Sequence, residues 1–432
     1  MSLIHLLPPL ARRAAAPRQP SHESCDASGD AGLVCLAGER APAHEAAARE
    51  VAEATRRVLL RDAVAALQPG PCAGLAPLRA WVAERLARRG LDLDPRQVLI
   101  TTGTRQALDL LGRVLLDRSS PLLVQRPTSV VALRAFASYA PRLVGVPVDE
   151  QGPQAQAFAA ALPGARMAYL QSCFADPGGT SIAAERAGQL VAALREAPCW
   201  LVEDESCAEL WLDEPAPPGL LARGAPHGVL VGRFPDPLFP GLGLGWVAGS
   251  AALVARLAQA RDAAHGPPPA FHQRVALDML RDGALERVSP ALRGAWRERR
   301  EAALGALRRH MPVGVRWLRP RGGMFVWLTL PDTVDVAGLV LAAREQGVCV
   351  LAGADFDVGT GGCASFGDCW DCRFCDHPES AAPARNTLRL SFAAAAPQAV
   401  AAGVERLARV LRGVCANASG CPRQWPDIVS RA

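Results

Sequence analysis

Residues 228–249 read GVLVGRFPDPLFPGLGLGWVAG. An apolar, β-branched run from Val229 to Val231 gives way to a loop holding Pro235, Pro237 and Pro240, and a second apolar run follows from Leu244 to Ala248. The pattern predicts strand, loop, strand. Upstream of it, short apolar runs at Val98–Thr101, Leu122–Val124, Leu143–Val148, Ala168–Leu170 and Trp200–Val202 read as strands. Helical stretches fall between them: one opening near Thr104, one in RPTSVVALRAF from Arg126, and one around Glu185–Arg195. This β-α-β rhythm predicts a mostly parallel sheet covered by helices.

Before the first strand, residues 43–66 carry helical spacing (Ala47, Val51, Ala54, Val58, Leu59), and a second helix presents Leu78, Trp81, Val82 and Leu86 on one face. After Ala270 come two helical patterns, one through Arg281 and one from about Arg293 to His310. Strands near Val315–Leu318, Met324–Leu330, Val348–Leu351 and Leu388–Phe392 then alternate with helices near 335–345 and 396–412. The expected organisation is a mobile arm over residues 1–45 and an N-terminal helix with a large α/β domain over 46–275. A small α+β domain follows over 276–412, with a cysteine-rich insertion at 359–384, and 413–432 form a tail.

Composition narrows the class. Half of the 432 residues are hydrophobic and about a fifth charged, as in a soluble globular protein with a sizeable core. The net charge of +5 is dispersed and forms no basic stripe, so no nucleic-acid partner is expected. No apolar run approaches the roughly 20 residues that span a bilayer, so no membrane partner is expected and a cytoplasmic location is. The chain contains no lysine: all 47 residues of the Lys+Arg count are arginine.

The segment 228–249 resembles the lysine segment of fold-type I pyridoxal-phosphate aminotransferases of class I/II, which reads roughly G-S-F-S-K-T-L-x-P-G-L-R-L-G-W. Gly232, Phe234, Leu238, Pro240, Gly241, Leu242, Leu244, Gly245 and Trp246 match it. CAGLAPLRAWVAERLARRG from Cys72 and Gly322-Gly323-Met324-Phe325 also resemble family segments, so the likeness spans about residues 45–412. It is close to the aminotransferase domain of MocR-type regulators and to 2-aminoadipate-type aminotransferases. It implies the fold-type I architecture: a mostly parallel, seven-stranded-type sheet covered by helices, a smaller α+β C-terminal domain, and a homodimer. The expected arm is too short for the winged helix that the regulators carry.

Residue by residue, the resemblance implies a cofactor phosphate at Gly103, Thr104 and Arg105, where a helix start offers backbone N–H groups. It implies a partner for the pyridine nitrogen at Asp204 and a substrate-carboxylate arginine at Arg389, suited to a bidentate fork. Other pocket positions have changed. The Schiff-base lysine is Asp236, and the phosphate arginine is Gly243. The small hydroxyl positions ahead of the lysine are Arg233 and Pro235. Ser129 stands for the stacking aromatic, Ser206 for a tyrosine, Asp176 for an asparagine, and about Pro69 for the tyrosine given across the dimer. Transamination needs an amine that forms an imine with the aldehyde and then moves the α-proton. Aspartate cannot, so pyridoxal phosphate is expected to be held noncovalently at best.

A second stretch, CASFGDCWDCRFCDHPES from Cys363, interrupts the family pattern. It sets Cys363, Cys369, Cys372 and Cys375 at C-x5-C-x2-C-x2-C, with His377 as an alternative ligand. Successive C-x2-C turns aim thiolates at one metal, and the spacing suits an iron–sulfur cluster or zinc. Asp176, Asp204, Glu205 and Asp236 are candidate metal ligands or acid–base groups of a repurposed pocket; Cys173 and Cys207 read as core thiols and His272 as a capping or packing residue. The expected function is a degenerate aminotransferase-fold protein, carrying a cysteine-ligated centre and acting as a repurposed enzyme or as a partner of another enzyme. The alternatives are an ordinary amino-acid aminotransferase and a non-catalytic protein binding an amino-acid-like ligand.

Overall fold

The computed structural model describes residues 32–38, 45–234, 240–358 and 386–417. Among them, no helix is long and apolar enough to cross a membrane. In chain order, β1 (Val34–Cys35) is followed by α1 (Glu45–Leu67), α2 (Ala76–Ala87), β2 (Val98–Thr101), α3 (Thr104–Leu115), β3 (Pro121–Arg126), α4 (Val130–Ala137), β4 (Arg142–Asp149) and β5 (Gly152–Pro153). Next come α5 (Ala155–Ala161), β6 (Met167–Gln171), α6 (Ala184–Arg195), β7 (Trp200–Asp204), β8 (Gly228–Arg233) and β9 (Gly245–Ala248). Three helices follow, α7 (Ala251–His265), α8 (Ala270–Arg281) and α9 (Ala284–His310). The rest is β10 (Arg316–Trp317), β11 (Phe325–Thr329), α10 (Val336–Glu345), β12 (Val348–Cys349), β13 (Leu351–Ala352), β14 (Thr387–Ser391) and α11 (Pro397–Asn417).

The large sheet runs β2-β9-β8-β7-β6-β3-β4-β5. Its centre is parallel: helical crossovers join β3, β4, β6 and β7 in turn, and a long non-helical connection leads from β7 to β8. The two ends are antiparallel, through β9 on β8 and β2 and through β5 on β4. The expected parallel sheet therefore has eight strands with antiparallel ends. The central strand β6 is buried at every position, as a strand covered on both faces must be. One face packs Leu108, Leu111, Phe136 and Tyr169 against Val202 and Val231. The other packs Phe158, Leu190 and Leu194 against Leu170 and Leu201.

The smaller sheet, β10-β11-β14-β13, is antiparallel and buries Val326, Leu388 and Leu390 under Leu304, Leu307, Val404 and Leu407. Local signals set the helix ends. The Ser250 hydroxyl accepts from Leu253 N–H at the start of α7, and Asp335 accepts from Ala337 N–H at the start of α10. Helix α9 begins nine residues before the expected start at Arg293, and Pro290 lies inside it; its buried stripe already includes Leu285, Val288 and Leu292, which outweighs the proline. Helix α8 crosses the expected domain boundary at 275/276 and packs on the large-domain side, with Val275, Met279 and Leu280 against Ala54 and Val58. Within the stretch expected to be a mobile arm, β1 pairs in parallel with β12, and Leu36 is fully buried.

Candidate functional site

The site forms where the C-terminal ends of the parallel strands meet the small domain. Strand β2 ends at Thr101, and the chain turns through Gly103 at φ +93° into α3. Only glycine adopts that angle without strain. The turn lies hard against β9: a Cβ at Gly245 would come within 2.9 Å of Gly103 Cα. Thr104 is thereby held at the helix start, its hydroxyl 3.0 Å from that of Ser206. Arg105, the third residue expected at this turn, is exposed.

Strand β7 places Asp204 beside them. Its Oδ1 accepts from the Ser206 amide at 2.8 Å and hydroxyl at 2.5 Å, and its Oδ2 accepts from the Tyr169 hydroxyl at 2.6 Å. Tyr169 comes from the neighbouring strand β6, two ladder steps from its end. Burial and the Asp204 charge push the Tyr169 phenol well above its ordinary range, so it stays protonated and donates. Arg233, at the end of β8, reaches back and donates from Nε to the Ser206 carbonyl at 2.9 Å.

At the other end of the cleft, Arg389 on β14 is fully buried. Its guanidinium lies 3.9 Å from the Phe325 ring centre and 4.8 Å from that of Phe356. Nη1 donates to Asp176 Oδ1 at 2.7 Å, and Nη2 donates to the Ala37 carbonyl at 3.0 Å. Asp176 sits in the loop after β6, where its own amide donates to Gln171 Oε1 at 3.1 Å. Ser129 caps α4 with its backbone and is buried, with no side-chain capping bond. The neighbouring Thr128 amide donates to the Phe356 carbonyl, tying this turn to the small domain.

Of the acidic residues expected at a metal or acid–base site, the described ones, Asp176, Asp204 and Glu205, do not converge. Strand alternation turns Asp204 to one side and Glu203 and Glu205 to the other. Glu203 accepts from the Leu220 and Leu221 amides, and Glu205 pairs with Arg89 at 2.5 Å. Asp176 is committed to Arg389. Among the described residues, no group of three or more His, Cys, Asp or Glu side chains is placed to hold a metal. Cys173 and Cys207 are buried thiols in the small-domain core, as expected, and burial raises the Cys173 thiol well above its usual range. His272 opens α8, with Nδ1 3.1 Å from the Leu242 carbonyl. Asp236, Cys363, Cys369, Cys372, Cys375 and His377 lie outside the described residues.

Sequence reasoning found Asp204, Asp176 and Arg389 but not that the last two pair. It also missed Tyr169, Ala37 and the reach of Arg233. Tyr169 left a trace: the chain has two tyrosines, and this one interrupts an apolar strand.

The pocket can be tested against pyridoxal phosphate. A helix start and a buried aspartate remain, suited to a phosphate and a ring nitrogen. Position 243 is a glycine at φ +56°, with no atom of the described residues within 4 Å of where a Cβ would stand. No arginine side chain arises there, and position 129 carries a serine where a ring would stack. The buried arginine already holds an internal carboxylate. These residues do not fit a cofactor bound as an imine.

The chain matches the family described as aminotransferase class I and II over residues 39–407. It is 36% identical over 373 residues to 2-aminoadipate transaminase of Thermus thermophilus, covering 85% of this chain and 87% of that protein. The crystal structure of LysN, the α-aminoadipate aminotransferase of Thermus thermophilus complexed with N-(5'-phosphopyridoxyl)-L-leucine, aligns with a TM-score of 0.82 at 34% identity. That alignment covers 96% of this chain and all of that one. The HTH-type transcriptional regulator YdfD of Bacillus subtilis is 28% identical over 285 residues, spanning 65% of this chain and 59% of that protein.

Proposed function

Because the chain belongs to the aminotransferase class I and II family, whose members use pyridoxal phosphate, we propose that it keeps the fold and has given up transamination through its own Schiff base. It acts instead as a repurposed enzyme or as a partner protein in amino-acid-related metabolism. The observation that carries this is the absence of lysine from all 432 residues. An imine needs a primary amine, and arginine stays protonated and delocalised. The test is incubation with pyridoxal phosphate, borohydride reduction and peptide mapping. No pyridoxyl label is expected beyond the terminal α-amine. A label on any internal peptide, or amino transfer from an amino acid to 2-oxoglutarate by the pure chain, overturns the reading.

One observation favours a second component. The spacing of Cys363, Cys369, Cys372 and Cys375, with His377 beside them, supports a metal centre of the iron–sulfur or zinc type. Protein purified without oxygen is expected to contain stoichiometric iron with sulfide, or zinc. Metal-free protein with four freely titrating thiols at these positions sinks it. Homologues of this family are typically homodimers, and the same assembly is proposed for this chain; a monomer by light scattering would contradict it.

A further inference from the structure

We propose that Asp176 is the resident ligand of the Arg389 site: an internal carboxylate that fills the place of a small free carboxylate and closes the site to one. The proposal rests on the reading of this chain as a non-transaminating family member and says what has become of its carboxylate arginine. Three distant segments build the site. Arg389 comes from β14, Asp176 from the loop after β6, and Ala37 from the segment after β1. The guanidinium has no exposed surface, and the Asp176 side chain is 8% exposed. A buried cation of this kind needs an anion at hydrogen-bond distance, because water cannot solvate it. Asp176 supplies one across 213 residues of sequence. Its loop is fixed beforehand: the Asp176 amide is bound by Gln171, whose own amide is bound by the side chain of Gln125.

Two consequences follow. A second carboxylate brought to Arg389 would meet the charge of Asp176, so the wild-type cleft refuses carboxylates at this point. Removing the side-chain carboxyl leaves a cationic cavity of about its volume, which formate or acetate fits in charge and size. The ligand class of the opened site is therefore a small monocarboxylate.

The experiment is chemical rescue of Asp176→Ala. Wild type and variant are melted in chloride, formate and acetate at equal ionic strength. Asp176→Ala is expected to melt several degrees below wild type in chloride and to recover most of that loss in formate and less in acetate. Wild type should respond equally to all three salts. Asp176→Ala combined with Arg389→Leu should lose the formate response. If Asp176→Ala does not fold in chloride, the yield of refolded protein with and without formate supplies the same readout. No formate-specific gain in melting temperature or yield overturns the proposal, as does a wild type stabilised by formate as strongly as the variant. An internal pyridoxyl label would sink the non-transaminating reading and leave this result standing, so the two failures are distinguishable.

Discussion

Asp176 and Glu205 are both buried acids that face an arginine, and their surroundings differ in two respects. Asp176 has a fully buried partner, Arg389, between two aromatic rings. Glu205 has a partner, Arg89, whose side chain is a quarter exposed, and it shares its space with a second carboxylate. A single Cβ at Gly219 would clash with both Glu203 Oε1 and Glu205 Oε1, which shows how near the two acids lie. Among the described residues, Asp176 pairs with its own arginine, whereas Glu203 and Glu205 both lie near Arg89. Burial, opposed by Arg89 and reinforced by Glu203, pushes Glu205 up to about 7. Glu203 is likewise raised by burial, against the pull of the Leu221 and Leu220 amides and the Ser172 hydroxyl. The ratio of cations to acids decides whether a buried carboxylate keeps its charge.

The largest effect should come from removing the fully buried arginine. Arg389→Leu strands Asp176 as a buried charge, and a loss of about 3–5 kcal/mol is expected by urea denaturation. Arg89→Leu should cost less than half as much at pH 6, because Glu205, pushed up to about 7, is already largely protonated there and leaves little charge to strand. Equal losses for the two variants would break the comparison.

The pH dependence comes next. The folded pKa of Glu205 lies above its unfolded value, so between about pH 4.5 and 7 the folded state holds the extra proton. The contribution of this group to stability is therefore greatest below about pH 4.5 and declines as pH rises through about 7, by on the order of 1–3 kcal/mol. Glu205→Gln should flatten that decline in urea titrations run across the window. A slope unchanged by the substitution would place the proton elsewhere.

Crowding the pair gives a smaller effect. Gly219→Ala drives a methyl into both carboxylates and should cost about 1–3 kcal/mol, as overpacking does. Glu205→Gln in the same chain keeps the clash and removes one charge. If the loss in Gly219→Ala disappears entirely on that background, repulsion rather than volume was the cause.

The contrast also shows what a sequence can carry. The strand-loop-strand of 228–249 and the alternating apolar runs announced the large sheet, because period and turn residues are local. Asp204 and Arg389 stood in recognisable motifs, VEDES and NTLRLSF. The pairing of Asp176 with Arg389 was not, because nothing local joins a loop after β6 to a strand of the small domain. The same holds for Arg89 and Glu205, and for Ala37, which covers Arg389 from a stretch with little periodicity. Helix α9 begins before its expected start because the stripe of Leu285, Val288 and Leu292, with Pro290 among them, is satisfied only by tertiary packing.

Asp204 supplies the control between the two arginine-paired acids. Among its described contacts, it is held by neutral donors alone: the Ser206 amide and hydroxyl on one oxygen and the Tyr169 hydroxyl on the other. Losing one neutral donor to a carboxylate that keeps two others should be mild. Ser206→Ala is expected to cost about 1–2 kcal/mol by urea denaturation, below either arginine deletion at the pH where that deletion is worst. It should also leave the Thr104 hydroxyl without its 3.0 Å partner, so that Thr104→Val added to Ser206→Ala costs little more. If Ser206→Ala instead matches Arg389→Leu, hydroxyl donors rather than ion pairs hold the charges of this cleft, and the distinction between its two ends collapses.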